Sequence, residues 1–212
     1  MRVIAPRHIA LGPPSSLRSR PIRARDPHNP GTPRAAMGAG VTVRPVATPD
    51  DLRHFKAMTL RYLEWLAEDL CYQGVDEELA GLPGAYAPSA GGCMLLAEDA
   101  AGACVGAVAV RALAGKHAGE LGEDVAGVAV GGVCEMKRLF VEPESQGRGA
   151  GGALVEAALR EAAALGYQAM ALDTLQRLAA ANRLYRAQGF QPCAPYNVCP
   201  LPGVLYFCKH LQ

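Results

Sequence analysis

Apolar residues recur at helical spacing through the first orderly part of the chain, from residue 48 to about residue 71. The positions on this face include Leu52, Phe55, Tyr62, Leu66 and Leu70. Thr48 and Pro49 predict where the helix begins, because threonine caps a first turn and proline suits the first helical position. A break could divide the stretch into two helices. A further helical piece is expected over residues 76–82, ended by Pro83 and Gly84.

Runs of apolar and β-branched residues predict the strands. These runs cover residues 41–46, 93–97, 103–110, 133–141, 169–173 and 203–208, with another short strand near Phe190. An alanine-rich helix is expected before Gly166, and a helix capped by Thr174 is expected to run to Gln188. Residues 113–131 are rich in Gly and Ala and are expected to form a loop. The order predicts an α/β domain with a mostly antiparallel N-terminal half and a βαβ unit around residues 133–173.

The first 40 residues differ from the rest in composition and predict a separate, disordered extension (1–40) before one domain (41–212). Residues 1–36 hold seven arginines and a single acid, Asp26. The other 14 basic and 19 acidic residues give the remaining chain a net charge of −5. A mildly acidic body argues against nucleic acid as its main partner.

Cysteine and histidine usage indicates reduced thiols and no metal. Seven cysteines are scattered without a CxxC pair, and five histidines show no ligand spacing. No apolar run has the length of a membrane span, and the N-terminus lacks the apolar segment of a secretory signal. We therefore expect a cytoplasmic protein without a membrane partner.

A glycine-rich segment between a strand and a helix predicts an anion-binding loop. After the strand 133–141 comes a short acidic turn and then Gly147, Gly149, Gly151 and Gly152. Taken as GxGxxG, this matches the dinucleotide fingerprint, with Asp173 at about the expected ~20 residues further on. The turn before the glycines, the charged strand and the roughly 60 residues that follow count against that ligand. The phosphate-binding pattern GxxxxGK[ST] is absent.

The segment Gln146-x-x-Gly149-x-Gly151 resembles the pyrophosphate-binding signature of the GNAT family of N-acetyltransferases. The preceding residues 137–144 resemble the family's fourth strand and acidic turn, and residues 184–190 resemble the "LYxxxGF" ending of its fourth helix. The resemblance covers the chain from about Val41 and is greatest to a bacterial subgroup of small single-domain enzymes. It implies a mixed, mostly antiparallel sheet of six to seven strands with about four helices, splayed between strands 4 and 5.

The same resemblance implies acetyl-CoA as cosubstrate, held in the splay without a metal. The backbone of the strand 139–141 would pair with the pantetheine arm, and the loop 146–151 would wrap the pyrophosphate. Leu178 stands where many relatives have an asparagine that contacts CoA, and Asn182 is a weak substitute. The cofactor-binding residues so implied are Leu139, Phe140, Val141, Gln146, Gly147, Arg148, Gly149, Ala150, Gly151, Asn182 and Tyr185.

Two residues are candidates for catalysis. The resemblance makes Tyr185 the general acid that protonates the departing thiolate, and the alternative is a core tyrosine on the inner face of the helix. Glu135, on the fourth strand, is a candidate base if burial raises its pKa towards neutrality. The alternatives are an ion pair with Lys137, Arg138 or an arginine of another element, and a water chain in place of any base.

The expected activity is acetyl transfer to a primary amine of a small or amino-acid-like acceptor. A peptide or protein amine, or a non-catalytic acyl-CoA sensor, are the alternatives, and a homodimer is plausible by analogy. Aromatic and amide side chains from the N-terminal helices and the late loop are candidates to contact the acceptor. They are Tyr62, Trp65, Tyr72, Gln73, Tyr86, Tyr196 and Asn197.

Overall fold

The computed structural model describes residues 40–68, 73–113, 119–129 and 131–211. The predicted N-terminal extension 1–40 lies almost wholly outside the described residues. Within the described part, no helix is long and apolar enough to cross a membrane.

Seven strands and four α-helices lie in the described residues, and the predicted fold class is confirmed. The strands are β1 Thr42–Pro45, β2 Cys93–Glu98, β3 Cys104–Ala112, β4 Val133–Val141, β5 Ala169–Leu175, β6 Gln191–Pro192 and β7 Val204–His210. The helices are α1 Pro49–Leu66, α2 Val75–Ala80, α3 Ala150–Ala164 and α4 Ala179–Ala187. The sheet order is β1-β2-β3-β4-β5-β7-β6, with β4 and β5 as its parallel pair.

Helix α1 begins where the sequence predicted. The Thr48 hydroxyl accepts a hydrogen bond from the Asp51 amide, and the Asp51 carboxylate accepts one from the Thr48 amide, so that each residue caps the other. Arg44 of β1 lies 2.7 Å from the same carboxylate and ties the helix start to the sheet edge. The helix ends at Leu66, earlier than predicted, because Ala67 takes a left-handed conformation with φ of 54°.

Two apolar layers cover the faces of the sheet. In β2, Leu95 and Ala97 face the core beneath α3, while Met94 and Leu96 face the core beneath α1. This alternation is expected of a strand, whose successive side chains point to opposite faces. The predicted alanine-rich helix α3 buries small side chains and ends at Ala164, followed by Gly166 in a left-handed conformation.

The predicted cap of the last helix was wrong. Thr174 lies inside β5, which runs on to Leu175, and α4 begins only at Ala179. Pairing with β7 explains the longer strand, because Thr174 and Leu175 lie opposite Leu205 and Val204. The predicted short strand near Phe190 is confirmed as β6.

Candidate functional site

A cavity of about 560 Å³ opens where β4 and β5 separate. The two strands pair from Val133 with Ala169 to Glu135 with Ala171, and no pairing continues beyond this point. The rest of β4 and of β5 forms two walls of the cavity, and α1, the start of α4 and residues 199–204 contribute further lining. The predicted splay between strands 4 and 5 is therefore the feature that creates this space.

The wall formed by β4 contains a bulge. The partners of β3 shift between Ala107, opposite Phe140, and Ala109, opposite Lys137. Arg138 lies in the bulge with a left-handed φ of 58°. Past Glu135, β4 pairs with β3 on one side but has left β5 on the other. Its polar backbone groups on that side are available to an extended ligand, which would bind as an added strand.

The glycine loop closes one end of the cavity. Gly147 and Gly149 have φ of 76° and 88°, a region that other residues enter at a cost. A Cβ on either glycine would meet no protein atom within 4 Å, so both face open space. The side-chain amide of Gln146 donates to the Val141 carbonyl at 3.0 Å and holds the loop against β4. Helix α3 begins here without a side-chain cap, which leaves its first N–H groups free for an anion.

Tyr185 of α4 lines the same cavity. Its ring packs against Phe190 and Phe207, with centroids 6.0 and 6.3 Å away. Its hydroxyl makes no hydrogen bond within the described part of the chain. Burial raises the pKa of Tyr185 above its ordinary value, with smaller contributions from Tyr62 and from the charge of Asp173. The phenol therefore stays protonated at neutral pH and can donate a proton into the cavity.

A buried cluster of charges lies at the closed end of the gap between the strands. The Lys137 ammonium is 2.9 Å from Asp173 Oδ1 and 3.4 Å from Glu135 Oε1. Arg111 of β3 contacts Glu135 Oε2 through two nitrogens, at 2.7 and 2.9 Å. The Tyr196 hydroxyl donates to Glu135 Oε1 at 3.1 Å. Lys137 and Asp173 line the cavity, whereas Glu135 and Tyr196 do not.

The contacts of Glu135 are those of an ion-pair partner, which is one of the alternatives predicted for it. Both Glu135 oxygens accept contacts from cations or a hydroxyl, and the side chain is 2% exposed. This arrangement is the ion-pair alternative, with Arg111 as the arginine of another element and Lys137 as a second partner. Glu135 is not among the described residues that line the cavity.

A second buried ion pair joins the bulge to α2. Arg138 donates to both oxygens of Glu78, at 2.8 and 3.1 Å, and to Gln73 Oε1 at 3.1 Å. Although burial opposes the charge, its hydrogen bonds and charge interaction with Glu78 raise the pKa of Arg138. The pair holds α2 against β4.

Most of the predicted cofactor and acceptor residues line the cavity, and some do not. Those in the lining are Tyr62, Trp65, Gln73, Leu139, Phe140, Val141, Gln146, Gly147, Gly149, Gly151 and Tyr185. Those outside the lining are Arg148, Ala150, Tyr86, Glu135, Asn182, Tyr196 and Asn197. Tyr72 lies outside the described residues.

The residues outside the lining have other contacts. The Asn182 amide donates to the carbonyls of Leu175 and Gln176, so it fastens the start of α4 to the end of β5. Tyr86 and Tyr196 are 1% and 0% exposed because they belong to the core. Asn197 accepts a hydrogen bond from the Tyr206 hydroxyl.

The cavity is also lined by Lys137, Asp173 and Arg177, for which the sequence predicted no acceptor role. A signal for the first two was present, because charged residues in the middle of otherwise apolar strands predict a buried polar site. Arg177 gave no such signal, since it follows β5 in a turn.

Residues 90–192 match the sequence profile of the acetyltransferase (GNAT) domain. An uncharacterised N-acetyltransferase of Schizosaccharomyces pombe is 39% identical over 168 residues, which are 79% of this chain and 93% of that protein. A GNAT-family acetyltransferase structure from Staphylococcus aureus superimposes with a TM-score of 0.61 at 14% identity, covering 81% of this chain and 99% of that one. The structure of a putative acetyltransferase from Salmonella typhimurium with its cofactor acetyl-CoA superimposes with a TM-score of 0.56 at 20% identity. The match covers 82% of this chain and 95% of that one.

Proposed function

This chain belongs to the GNAT family of acyltransferases, and we propose that it transfers the acetyl group of acetyl-CoA to a primary amine of a small or amino-acid-like molecule. The observation that carries the proposal is the single cavity that joins the glycine loop, the unpaired edge of β4 and Tyr185. Acetyl transfer from CoA needs these three parts: a loop that binds the pyrophosphate, a strand edge that pairs with the extended pantetheine arm, and a proton donor.

The glycine loop and the unpaired edge of β4 bind different parts of the cosubstrate. The backbone amides of residues 146–151 face the pyrophosphate, and the first turn of α3 adds its positive end. The backbone of Leu139 and Val141 pairs with the pantetheine arm. Acetyl-CoA supplies an activated thioester, and the amide of Leu139 is the donor we assign to its carbonyl oxygen. The Salmonella typhimurium neighbour, which holds acetyl-CoA, supports this choice of cosubstrate.

Tyr185 is the proton donor in this scheme. The amine nitrogen forms a bond to the acetyl carbon and then loses its second proton to water. The carbon–sulfur bond breaks, and the sulfur takes the proton from the Tyr185 hydroxyl. Tyr185 is protonated at neutral pH, as a proton donor must be. Its raised pKa makes it a weak acid, which is sufficient because a thiolate leaves easily. Solvent then restores the tyrosine proton.

The ammonium proton of the acceptor goes to water. Glu135 is enclosed by Arg111, Lys137 and Tyr196, so we assign it a structural role. A water path is sufficient, because proton transfer from an alkylammonium to solvent requires no dedicated residue when the free amine is present as a minor form.

The size of the cavity favours a small acceptor over a peptide. Its volume of about 560 Å³ lies within the usual range of small-molecule sites, about 300–1,000 Å³, and the pantetheine arm occupies part of it. The remaining space is bounded by Tyr62 and Trp65 of α1 and by Leu201 of the late loop.

Two measurements test the proposal. Calorimetry should show that acetyl-CoA and CoA bind and that NADH does not. Preferential binding of NADH would instead support a dinucleotide-binding loop and refute the proposal. Thiol release followed with DTNB against a library of amines and short peptides should then identify small primary amines as acceptors. Binding of CoA without thiol release above hydrolysis would favour a sensor instead.

A further inference from the structure

One carboxylate lies in the wall of the cavity. Among the described residues of the lining, Asp173 is the only acid, and its side chain is 10% exposed. It lies on β5 two residues past Ala171, the last residue of β5 that pairs with β4. Asp173 therefore marks the closed end of the gap, on the wall opposite the bulge of β4.

Asp173 is held as an anion. Burial alone would raise its pKa, but the Lys137 ammonium at 2.9 Å and a hydrogen bond from the Asn197 side chain outweigh burial and lower the pKa. A carboxylate of this kind is a weak base at neutral pH. It is, however, a strong acceptor for the N–H groups of a cation.

Each cation near Asp173 is paired with an acid. Arg111 and Lys137 balance Glu135 and Asp173 in charge, and the Arg138 guanidinium is engaged by both oxygens of Glu78. Arg177, the third cation of the lining, contacts Glu68. These side chains therefore add no unpaired positive charge to the lining. Asp173 and the proton donor Tyr185 both line the cavity.

We propose that Asp173 holds the ammonium group of the acceptor, sharing its oxygens with Lys137, and so makes the enzyme selective for cationic primary amines. The inference rests on the proposed function, because it requires an acceptor amine beside the thioester. Asp173 acts by binding and orientation, and the proton still leaves to water.

Two CoA thioethers of nearly equal shape test the inference without knowledge of the acceptor. S-(2-aminoethyl)-CoA carries an ammonium close to where the attacking nitrogen would lie, and S-propyl-CoA carries a methyl group there instead. We expect the aminoethyl compound to bind the unaltered protein about tenfold or more tightly, as a hydrogen bond between charged groups allows. Equal affinities would overturn the inference while leaving the proposed function intact. Failure of both compounds and of CoA to bind would instead refute the proposed function.

Substitutions separate recognition of the amine from a merely structural ion pair. In Asp173→Asn the preference for the aminoethyl compound should disappear, whereas in Lys137→Met it should persist or grow, because the ligand ammonium replaces the lysine. A purely structural pair predicts no preference for the aminoethyl compound in the unaltered protein or in either variant. Glu98→Gln is the matched control, since it removes an acid that pairs with Arg44 and neither residue lines the cavity, and its preference should equal that of the unaltered protein. Circular dichroism checks that each variant is folded, and the two-ligand comparison on the unaltered protein remains decisive if one is not.

Discussion

The substitution Gly149→Val tests whether the glycine loop binds the pyrophosphate. Gly149 has φ of 88°, and a Cβ there meets no protein atom within 4 Å. Valine would therefore do two things at once. It would strain the backbone by about 1–2 kcal/mol, and it would project methyl groups into the space assigned to the phosphates. Loss of one charge-assisted hydrogen bond, about 1.5–3 kcal/mol, would weaken CoA binding by about 10- to 100-fold.

Backbone strain alone has to be separated from blockage of the ligand. Gly127 has φ of 81°, and a Cβ there also meets no atom within 4 Å, but it lies outside the cavity lining. Gly127→Val is thus a control with matched strain. Thermal unfolding should show a similar decrease in Tm for both variants, about 2–8 °C. Calorimetry with CoA should show the lost affinity in Gly149→Val alone. Equal CoA affinities in the two variants would refute the assignment of the loop.

Three further predictions concern single residues. Tyr185→Phe should lower kcat by about 10- to 100-fold, which is small for loss of a general acid because a thiolate leaves easily. The Tm and the KM for acetyl-CoA should not change, since the ring packing remains. An unaltered kcat would make this residue a core tyrosine. Arg138→Met should destabilise the protein by about 3–5 kcal/mol in urea unfolding because Glu78 loses its partner, and adding Glu78→Gln should recover much of the loss. Asp51→Asn should cost about 1–2 kcal/mol at pH 7 and less below about pH 4. Burial opposes the charge of Asp51, but hydrogen bonds from Arg44 and from the amides of Ala47 and Thr48 lower its pKa. The contribution of Asp51 to stability is therefore present above the ordinary pKa of an aspartate and is lost as the pH falls. A difference in unfolding free energy between the two proteins that is independent of pH would contradict this.

Local signals account for what could be predicted of the fold. The cap of α1 uses residues three apart in sequence, so that Thr48 and Asp51 identify it without tertiary information. The bounds of β4 follow from the glycine that precedes it and the Glu-Pro turn that follows it. Prediction failed where a tertiary contact decides. Thr174 has the side chain of a helix cap, but pairing with Leu205 of β7 keeps it in the strand.

The candidate site divides in the same way. Its glycine loop is continuous in sequence, and this continuity made the loop recognisable. The charged end of the cavity is assembled from Arg111, Glu135, Lys137, Asp173 and Tyr196, which lie on three strands and a loop. Whether Glu135 is a base or an ion-pair partner depends on Arg111, 24 residues away, and no spacing rule relates the two.

That arrangement also explains why Asp173 and not Glu135 is available to a ligand. Glu135 is the last residue of β4 that pairs with β5, Asp173 lies two residues past the last paired residue of β5, and Lys137 contacts both acids. Glu135 lies on the paired side of the point at which the two strands part, and Arg111 and Tyr196 close around it there. Asp173 lies on the separated side, where its strand no longer has β4 as a neighbour. The end of strand pairing thus decides which of two acids is enclosed and which one faces the acceptor.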